Sequence, residues 1–192
     1  TIINAAGHDF KPDAKMTPFG IYLPDYGDLF LYMTDSKVTS DFVVDCLAMF
    51  WEMVCIRFPK VTTLLINSDN GPEAHSRRTQ LMNRLTAFAD QQQLTLQLAY
   101  YPPYHSKYNP IERVWGGLEQ HWNGSLLDSI DTVLAFARTF TWRSQQPVVT
   151  HIERIYETGV KLSQKAMAQL EQRFQRLNGL EKWFVTISPI LT

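Results

Sequence analysis

The spacing of apolar and polar residues divides the first part of the chain into three elements. FGIYLP (19–24) and DLFLYMTDSK (28–37) are β-prone runs, and the turn-rich DYGD between them predicts a β-hairpin. Over 39–58 the apolar residues recur at helical spacing, with Thr39 or one of the two residues after it as the N-cap. Pro59 ends this predicted helix.

The middle of the chain predicts strands that alternate with helices. VTTLLIN (61–67) is a β-branched apolar run, typical of a strand buried on both faces, and it ends in the turn cluster SDNGPE. A second helix is predicted over about 74–92, with apolar residues on one side and arginines towards solvent. LTLQLAY (94–100) is predicted to be the next strand.

The remaining sequence predicts a loop, a third helix and a tail. The aromatic, Pro-broken stretch YYPPYHSKYNPIERVW (100–115) runs into a helix predicted over about 110–122. The tail is predicted to be mostly helical, with an amphipathic helix over about 163–177 and a final extended piece, KWFVTIS. The order β-β-α-β-α-β-α predicts a mixed α/β sheet whose last strands are parallel. The one candidate boundary gives a core over 1–146 and a C-terminal helical extension over 147–192.

Composition excludes several classes of protein. The apolar share of 45% and the aromatic share of 12% are those of a globular chain. The most apolar stretch is cut by charged residues, so a membrane span is not expected. Cys46 and Cys55 lie on different faces of one predicted helix, which favours free thiols and a reducing cytoplasm. A net charge of −1 requires any nucleic-acid binding to be local and metal-assisted.

Asp69 is the first candidate functional residue. It follows the carboxyl end of the predicted strand 61–67, and ligands of open α/β sheets bind at such ends. The alternative is a structural role, in which Asp69 and the Asn-Gly-Pro after it form a turn that caps the next helix.

Glu112 is the second candidate, and it has a structural alternative of its own. The pattern around Glu112 is that of a capping box. Asn109 is the capping residue, Pro110 lies in the first turn, and Glu112 comes three residues after the cap. Asp69 and Glu112 nevertheless follow two predicted neighbouring strands, so both are expected at one rim of the sheet. Carboxylates that share a rim repel each other, and Mg²⁺, which prefers oxygen ligands, relieves that repulsion. Two such ions about 3.5–4 Å apart make a site for phosphoryl transfer.

The residues around these acids resemble a known family. NSDNGPE followed by YYPPYHSKYNPIERVW is similar to the catalytic core of bacterial insertion-sequence transposases of the DDE type, of the Azo-type group, with a more distant likeness to mariner-like transposases. The likeness runs from HDFKP through KVTSDF, DNGPE and WNG to TFTW. Its most specific element is PPYHSKYNPIE with an upstream DNG.

The resemblance implies an RNase H-like fold with flanking helices and a triad of two Asp and one Glu that binds two Mg²⁺ or Mn²⁺ ions. Such enzymes cut and rejoin DNA at insertion-sequence ends, with water and then a DNA 3′-hydroxyl as nucleophile. By position, Asp69 matches the second Asp and Glu112 matches the Glu. The implied partners are DNA and, in the active complex, further copies of the chain. The implied location is the bacterial cytoplasm, with association to the nucleoid when the protein is on DNA.

One part of the family pattern is expected to be missing. In this fold the first Asp lies on a central strand ahead of the hairpin, and nothing before Phe19 matches such a strand. Asp9 and Asp13 fall in what should be the connector. The chain is therefore expected to be an amino-truncated core that lacks the strand between 19–24 and 61–67. The alternative function is a catalytically inactive relic that at most binds DNA or a full-length transposase.

The loop before Glu112 carries the candidate DNA contacts. His105 and Lys107 are expected to contact phosphates, and Tyr104 or Tyr108 to stack on an exposed base. The alternative is that these four are ordinary exposed loop residues.

Overall fold

The computed structural model describes residues 16–69, 75, 77–102, 105–123 and 129–191. Within them the chain forms strands, α-helices and two short 3-10 turns, Cys55–Arg57 and Ser106–Tyr108. The strands are β1 (Thr17–Leu23), β2 (Asp28–Thr34), β3 (Thr63–Ser68), β4 (Thr95–Tyr100), β5 (Val148–Ile152), β6 (Phe174–Arg176) and β7 (Phe184–Ile187). The helices are α1 (Ser40–Val54), α2 (Thr79–Gln92), α3 (Pro110–Trp122), α4 (Ile130–Thr139) and α5 (Gln164–Glu171).

The predicted hairpin is present. Strands β1 and β2 pair antiparallel, from Thr17 opposite Thr34 to Leu23 opposite Asp28. Gly27 adopts a φ of 77° in the turn, a conformation that costs glycine little, and its N–H donates to the Leu23 carbonyl at 2.9 Å. The glycine of the turn-rich spacer therefore sets the reversal of the chain.

The strands form two sheets. The first has the order β1-β2-β5, in which β2 is antiparallel to β1 and parallel to β5. The second has the order β3-β4-β7-β6, in which β3 and β4 are parallel and β7 is antiparallel to both of its neighbours. The predicted parallel pairing of 61–67 with 94–100 is therefore confirmed. In the described part of the chain β1 pairs only with β2, and β3 only with β4, so each sheet has a free edge at one of these strands.

Helix α1 begins at its predicted cap. The Thr39 Oγ1 accepts from the Phe42 N–H at 3.3 Å, and the α-helix continues to Val54 before a 3-10 turn that ends at Arg57. The apolar face of α1 packs on the first sheet, where the Phe50 ring meets the Phe30 ring edge-on with centroids 5.0 Å apart.

The core lies on both faces of β2. Phe30 and Tyr32 point into one apolar cluster with α1 and α2, while Leu29 and Leu31 point into a second cluster. The second cluster is covered by α3 through Leu118 and its neighbours. This alternation follows the period of two along a strand, and it explains why almost every residue of β2 is buried.

The prediction that 61–67 is buried on both faces is wrong. No residue of β3 is buried, and Leu65 keeps 57% of its surface exposed. Leu64 and Ile66 pack partly against the first cluster, while the face of Leu65 and Asn67 is open to solvent. Among the described residues β3 pairs on one edge only, with β4, which explains why its apolar run is not buried on both faces.

The prediction of a mostly helical tail is also wrong. Helix α5 ends at Glu171, well short of 177, and β6 follows at once. Strand β5 joins the first sheet beside β2, and β7 joins the second sheet beside β4. The extended KWFVTIS piece is confirmed as β7. The division into 1–146 and 147–192 stays a prediction, and the second part supplies strands to both sheets.

Candidate active site

Asp69 stands at the carboxyl end of the parallel pair β3–β4. The Tyr101 N–H donates to the Ser68 carbonyl at 3.0 Å, which ties the ends of the two strands together. Asp69 follows directly and is exposed. Its carboxylate has no hydrogen bond or ion pair with any residue that the structure describes. Asp69 does not cap α2, whose N-cap is Arg78; the turn residues 70–74 lie outside the described residues.

Glu112 lies in the first turn of α3, whose start was predicted correctly. Asn109 is buried, and its side chain accepts from the Ile111 N–H at 3.5 Å, while Pro110 opens the helix. The Glu112 N–H donates to the Asn109 carbonyl at 3.0 Å. The return bond of a capping box, from the Asn109 N–H to the Glu112 carboxylate, is not formed between these two described residues. The cap therefore orients Glu112 without using its carboxylate.

The two acids line one cavity of about 460 Å³. Strands β1 and β3 form two of its sides, α1 and α2 form its floor, and the start of α3 closes it near Glu112. Their placement at a common cavity agrees with the rim expected from the strand ends. Their roles as catalytic residues and metal ligands stay predictions.

The chemistry of these two side chains fits a hard divalent cation. Two carboxylates that have no partner among the described residues, one exposed and one half-buried, offer oxygen ligands and leave positions open for water and phosphate. Across the described ranges, no group of three or more His, Cys, Asp and Glu side chains is placed to hold a metal ion. The described residues therefore place two acids at this cavity, Asp69 and Glu112.

The position of α3 depends on a contact that the sequence reasoning did not identify. Trp115 lies over Gly20 of β1, where a Cβ would be only 2.8 Å from the Trp115 ring. A glycine inside a strand pattern is a signal of such a close approach. The same face of α3, with Ile111, Trp115, Leu118 and Trp122, packs in the second cluster. Trp115 and Gly20 therefore set how near Glu112 comes to β1.

The loop before α3 brings three of its candidate residues together. The His105 ring stacks on the Tyr108 ring with centroids 5.9 Å apart, and the Lys107 Nζ lies 5.2 Å from the centroid of the same ring. His105 and Lys107 are exposed, as is 63% of Tyr108. Tyr104, the fourth candidate, lies outside the described residues. An exposed aromatic ring beside a cation suits both stacking on a base and contact with a phosphate.

The fold is compatible with the RNase H-like fold of DDE transposases, because it has two mixed sheets with flanking helices. The two acids at one cavity are compatible with the same fold. A family model described as the Rhodopirellula transposase DDE domain matches residues 2–189. Because this match covers nearly the whole chain, the chain belongs to that family, and the resemblance to DDE-type insertion-sequence transposases is confirmed. The family acts on DNA in transposition and generally uses divalent metal ions. No curated protein and no solved structure matches the chain.

Among the helices that the structure describes, none is long and apolar enough to cross a membrane.

Proposed function

We propose that this chain is the catalytic domain of a transposase that cleaves and transfers DNA strands at insertion-sequence ends. Asp69 and Glu112 are its acid residues, and Mg²⁺ or Mn²⁺ is its cofactor. The observation that supports this most directly is that both acids line one cavity with no competing partner among the described residues. The same proposal includes the partners and the location of the protein. The partners are DNA, at the transposon end and at the target, and further copies of the chain in the active complex. The location is the bacterial cytoplasm.

Each acid has a defined task in this proposal. Asp69, at the end of β3, and Glu112, in the first turn of α3, would hold the cation through their oxygens. When bound, a divalent cation activates a hydroxyl nucleophile and offsets charge on the phosphate. The protein contributes rigidity, because the cap at Asn109 and the packing of Trp115 on Gly20 hold Glu112 in place beside β1. A second ion would need the third carboxylate of the triad, which the resemblance expects on a strand ahead of β1.

The further DNA contacts are assigned to the loop, because no Lys, Arg or His lies among the described residues that line the cavity. Lys107 and His105 present polar groups beside the exposed Tyr108 ring, next to the helix that carries Glu112. Replacement of His105 and Lys107 by Ala should weaken DNA binding and lower the slope of log K against log salt by about 1 for each lost phosphate contact. Fluorescence anisotropy over a salt series measures that slope. An unchanged slope would identify the two side chains as bystanders.

Strand cleavage tests the assignment of the acids. In the protein that carries this chain, Asp69→Asn and Glu112→Gln should each reduce Mg²⁺-dependent nicking of transposon-end DNA by about 10³-fold or more, a cost of roughly 4 kcal/mol in the barrier. Glu119→Gln is the matched control, because Glu119 is exposed on the same helix and does not line the cavity. Its nicking rate should stay within about twofold of the original.

Three results would separate the alternatives. Equal losses from Glu112→Gln and Glu119→Gln would remove the special role of Glu112. No cleavage before any substitution, together with retained DNA binding, would favour the inactive relic. Cleavage that survives Asp69→Asn would refute the proposed site.

A further inference from the structure

Two adjacent glycines in the middle of α3, Gly116 and Gly117, have different surroundings. A Cβ placed on Gly117 would lie 3.2 Å from the Trp142 ring and 3.5 Å from the Phe140 ring. A Cβ placed on Gly116 would meet no described atom within 4 Å. Glycine weakens a helix, so a helical glycine with so close a neighbour has a packing reason. For Gly117 that neighbour is Trp142, in the segment after α4.

Trp142 is also bonded to β1. Its Nε1–H donates to the Tyr22 hydroxyl at 3.0 Å, and the two rings meet edge-on with centroids 6.5 Å apart. Tyr22 lies two residues after Gly20, so both residues belong to the same face of β1. On that face Trp115 of α3 lies over Gly20. Two tryptophans therefore connect the same strand with the same helix.

The two tryptophans act on different sides of α3. Gly117 follows Trp115 by two residues, which is about 200° around a helix. Trp142 therefore contacts α3 on a different side from the one that Trp115 presents to β1. Val114 and Leu118 pack in the second cluster and set how deeply α3 lies on the sheet. The contact with Trp142 limits the movement of α3 across the sheet.

The Trp142 ring is carried by a strained turn over 142–145. The Trp142 N–H donates to the Gln145 carbonyl at 2.8 Å, and the Gln145 N–H donates back to the Trp142 carbonyl at 2.9 Å. Between them, Arg143 and Ser144 have φ values of 48° and 64°, in the left-handed region that favours glycine. Since neither residue is glycine, contacts outside the turn must offset this strain.

Those contacts come from the loop between β1 and β2. The Arg143 Nη1 donates to the Pro24 carbonyl at 2.8 Å, and the Gln145 Nε2 donates to the Tyr26 carbonyl at 3.4 Å. Together with the bond from Trp142 to Tyr22, these bonds fix the turn on the hairpin. The Trp142 ring therefore cannot easily retreat from α3.

We propose that Trp142 is a positioning residue, which holds α3 against β1 and so keeps the Glu112 carboxylate at the cavity that Asp69 also lines. Gly117 lies about one and a half turns beyond Glu112 on the same helix, so a shift of α3 at Gly117 moves its first turn. We call the contacts of Trp142 with Tyr22 and Gly117 the Trp142 clamp. The clamp is a property of the fold, whereas its role in catalysis through Glu112 rests on the proposed function.

A matched pair of substitutions tests the Trp142 clamp without cleavage. Gly116→Ala and Gly117→Ala add the same methyl group at adjacent positions, and both replace glycine by a better helix former. Gly117→Ala pushes α3 away from the Trp142 ring, so hydrogen exchange of the amides over 114–118 in the full chain should become about tenfold faster. Gly116→Ala should leave this exchange unchanged or slower. Equal exchange rates in the two variants would overturn the clamp.

Breaking the hydrogen bond from each side gives a second test, in case Gly117→Ala does not fold. Trp142→Phe removes the indole donor, and Tyr22→Phe removes its acceptor. Each should speed exchange over 114–118 by about threefold. Because both substitutions break the same bond, the double variant should exchange no faster than Trp142→Phe alone. Effects that add would show that the bond between the two residues does not hold α3.

The Mg²⁺ dependence of cleavage tests the role of Trp142 toward Glu112. In the protein that carries this chain, Gly117→Ala should raise the Mg²⁺ concentration for half-maximal nicking of transposon-end DNA by about tenfold, while DNA affinity stays within about twofold. A mere loss of folded protein would lower the rate without changing that concentration. Gly116→Ala should match the original protein in both measurements.

The two measurements separate failure of this proposal from failure of the proposed function. Faster exchange in Gly117→Ala with an unchanged Mg²⁺ dependence would overturn the positioning role, because Trp142 would then be structural only. An original protein that shows no Mg²⁺-dependent nicking would refute the proposed function and, with it, the role of Trp142 toward Glu112. The exchange rates would still decide whether the Trp142 clamp exists.

Discussion

Two pairs of acidic residues contrast within this molecule. The carboxylates of Asp45 and Asp90 are fully engaged by arginines and other donors, whereas those of Asp69 and Glu112 have no partner in the part of the chain that the structure describes. An engaged carboxylate holds elements together, and a carboxylate with free lone pairs is available to a ligand. Partners, more than position in the sequence, therefore indicate which acids are structural.

Asp45 joins three separate parts of the chain. From α1, its Oδ1 accepts from Arg84 of α2 at 2.5 Å, and its Oδ2 accepts from Arg154 and from the Tyr156 hydroxyl at 2.9 Å each. Burial, and then the bond to this carboxylate, raise the pKa of Tyr156. The tyrosine therefore stays neutral and remains a donor.

Asp90 fastens the end of α2 to the C-terminal strands. Its two oxygens accept from the two Nη atoms of Arg173 at 2.6 and 2.7 Å, and Oδ1 also accepts from the Ile190 N–H at 2.8 Å. The Arg173 hydrogen bonds hold the pKa of Asp90 below its usual value. Arg173 is thus engaged in an internal pair with Asp90.

The largest effect on stability is expected at Asp45. Asp45→Asn removes the charge that two arginines share, and the free energy of unfolding should fall by about 2 kcal/mol. Urea denaturation measures this change. Glu52→Gln, on the same helix but exposed, should change the free energy by less than about 0.5 kcal/mol. An equal loss in both variants would break the contrast between engaged and free acids.

A smaller and pH-dependent effect is expected at Asp90. The pKa of Asp90 is lower in the folded chain, so its contribution is fully present above the unfolded-state pKa and is lost as the pH falls through the folded pKa. Asp90→Asn should cost about 1 kcal/mol near neutral pH. The gap should stay constant above about pH 5 and shrink as the pH falls below about 4.

Denaturation curves at each pH check the Asp90 prediction. Glu157→Gln, at an exposed position, serves as the control and should leave the pH profile unchanged. A stability gap that stays constant over the acid range would show that the Arg173 pair is not what lowers the pKa of Asp90.

Local sequence was sufficient for the start of α3 and insufficient for β3. Asn109 and Pro110 specify a helix start within four residues, so that element was predicted almost to the residue. The burial of β3 depends on whether a strand lies beside it, and no pattern within 61–67 carries that information. The sequence also could not predict whether the Glu112 carboxylate has a partner. The capping-box pattern allows a bond from the Asn109 N–H to this carboxylate, and that bond is not formed between these two described residues.

The tail shows the same limit over a longer distance. Its helical spacing over 163–177 predicted one helix, yet the chain leaves the helix at Glu171 and pairs as β6 with β7. Strand β5 pairs with β2, where Val148 lies opposite Phe30 although the two residues are more than one hundred positions apart in the chain. Pairing with a distant edge outweighs a weak local helical preference.

The sequence by itself determined the order of the elements through Trp122, the caps of α1 and α3 and the placement of two acids after strand ends. Each of these depends on periodicity or capping within about ten residues, which a single segment encodes. The tertiary structure alone decided which acids are engaged, how the strands of the described residues pair and where the cavity beside Asp69 and Glu112 lies. Those properties arise from contacts between segments far apart in the chain, and their energies depend on neighbours that no local pattern specifies.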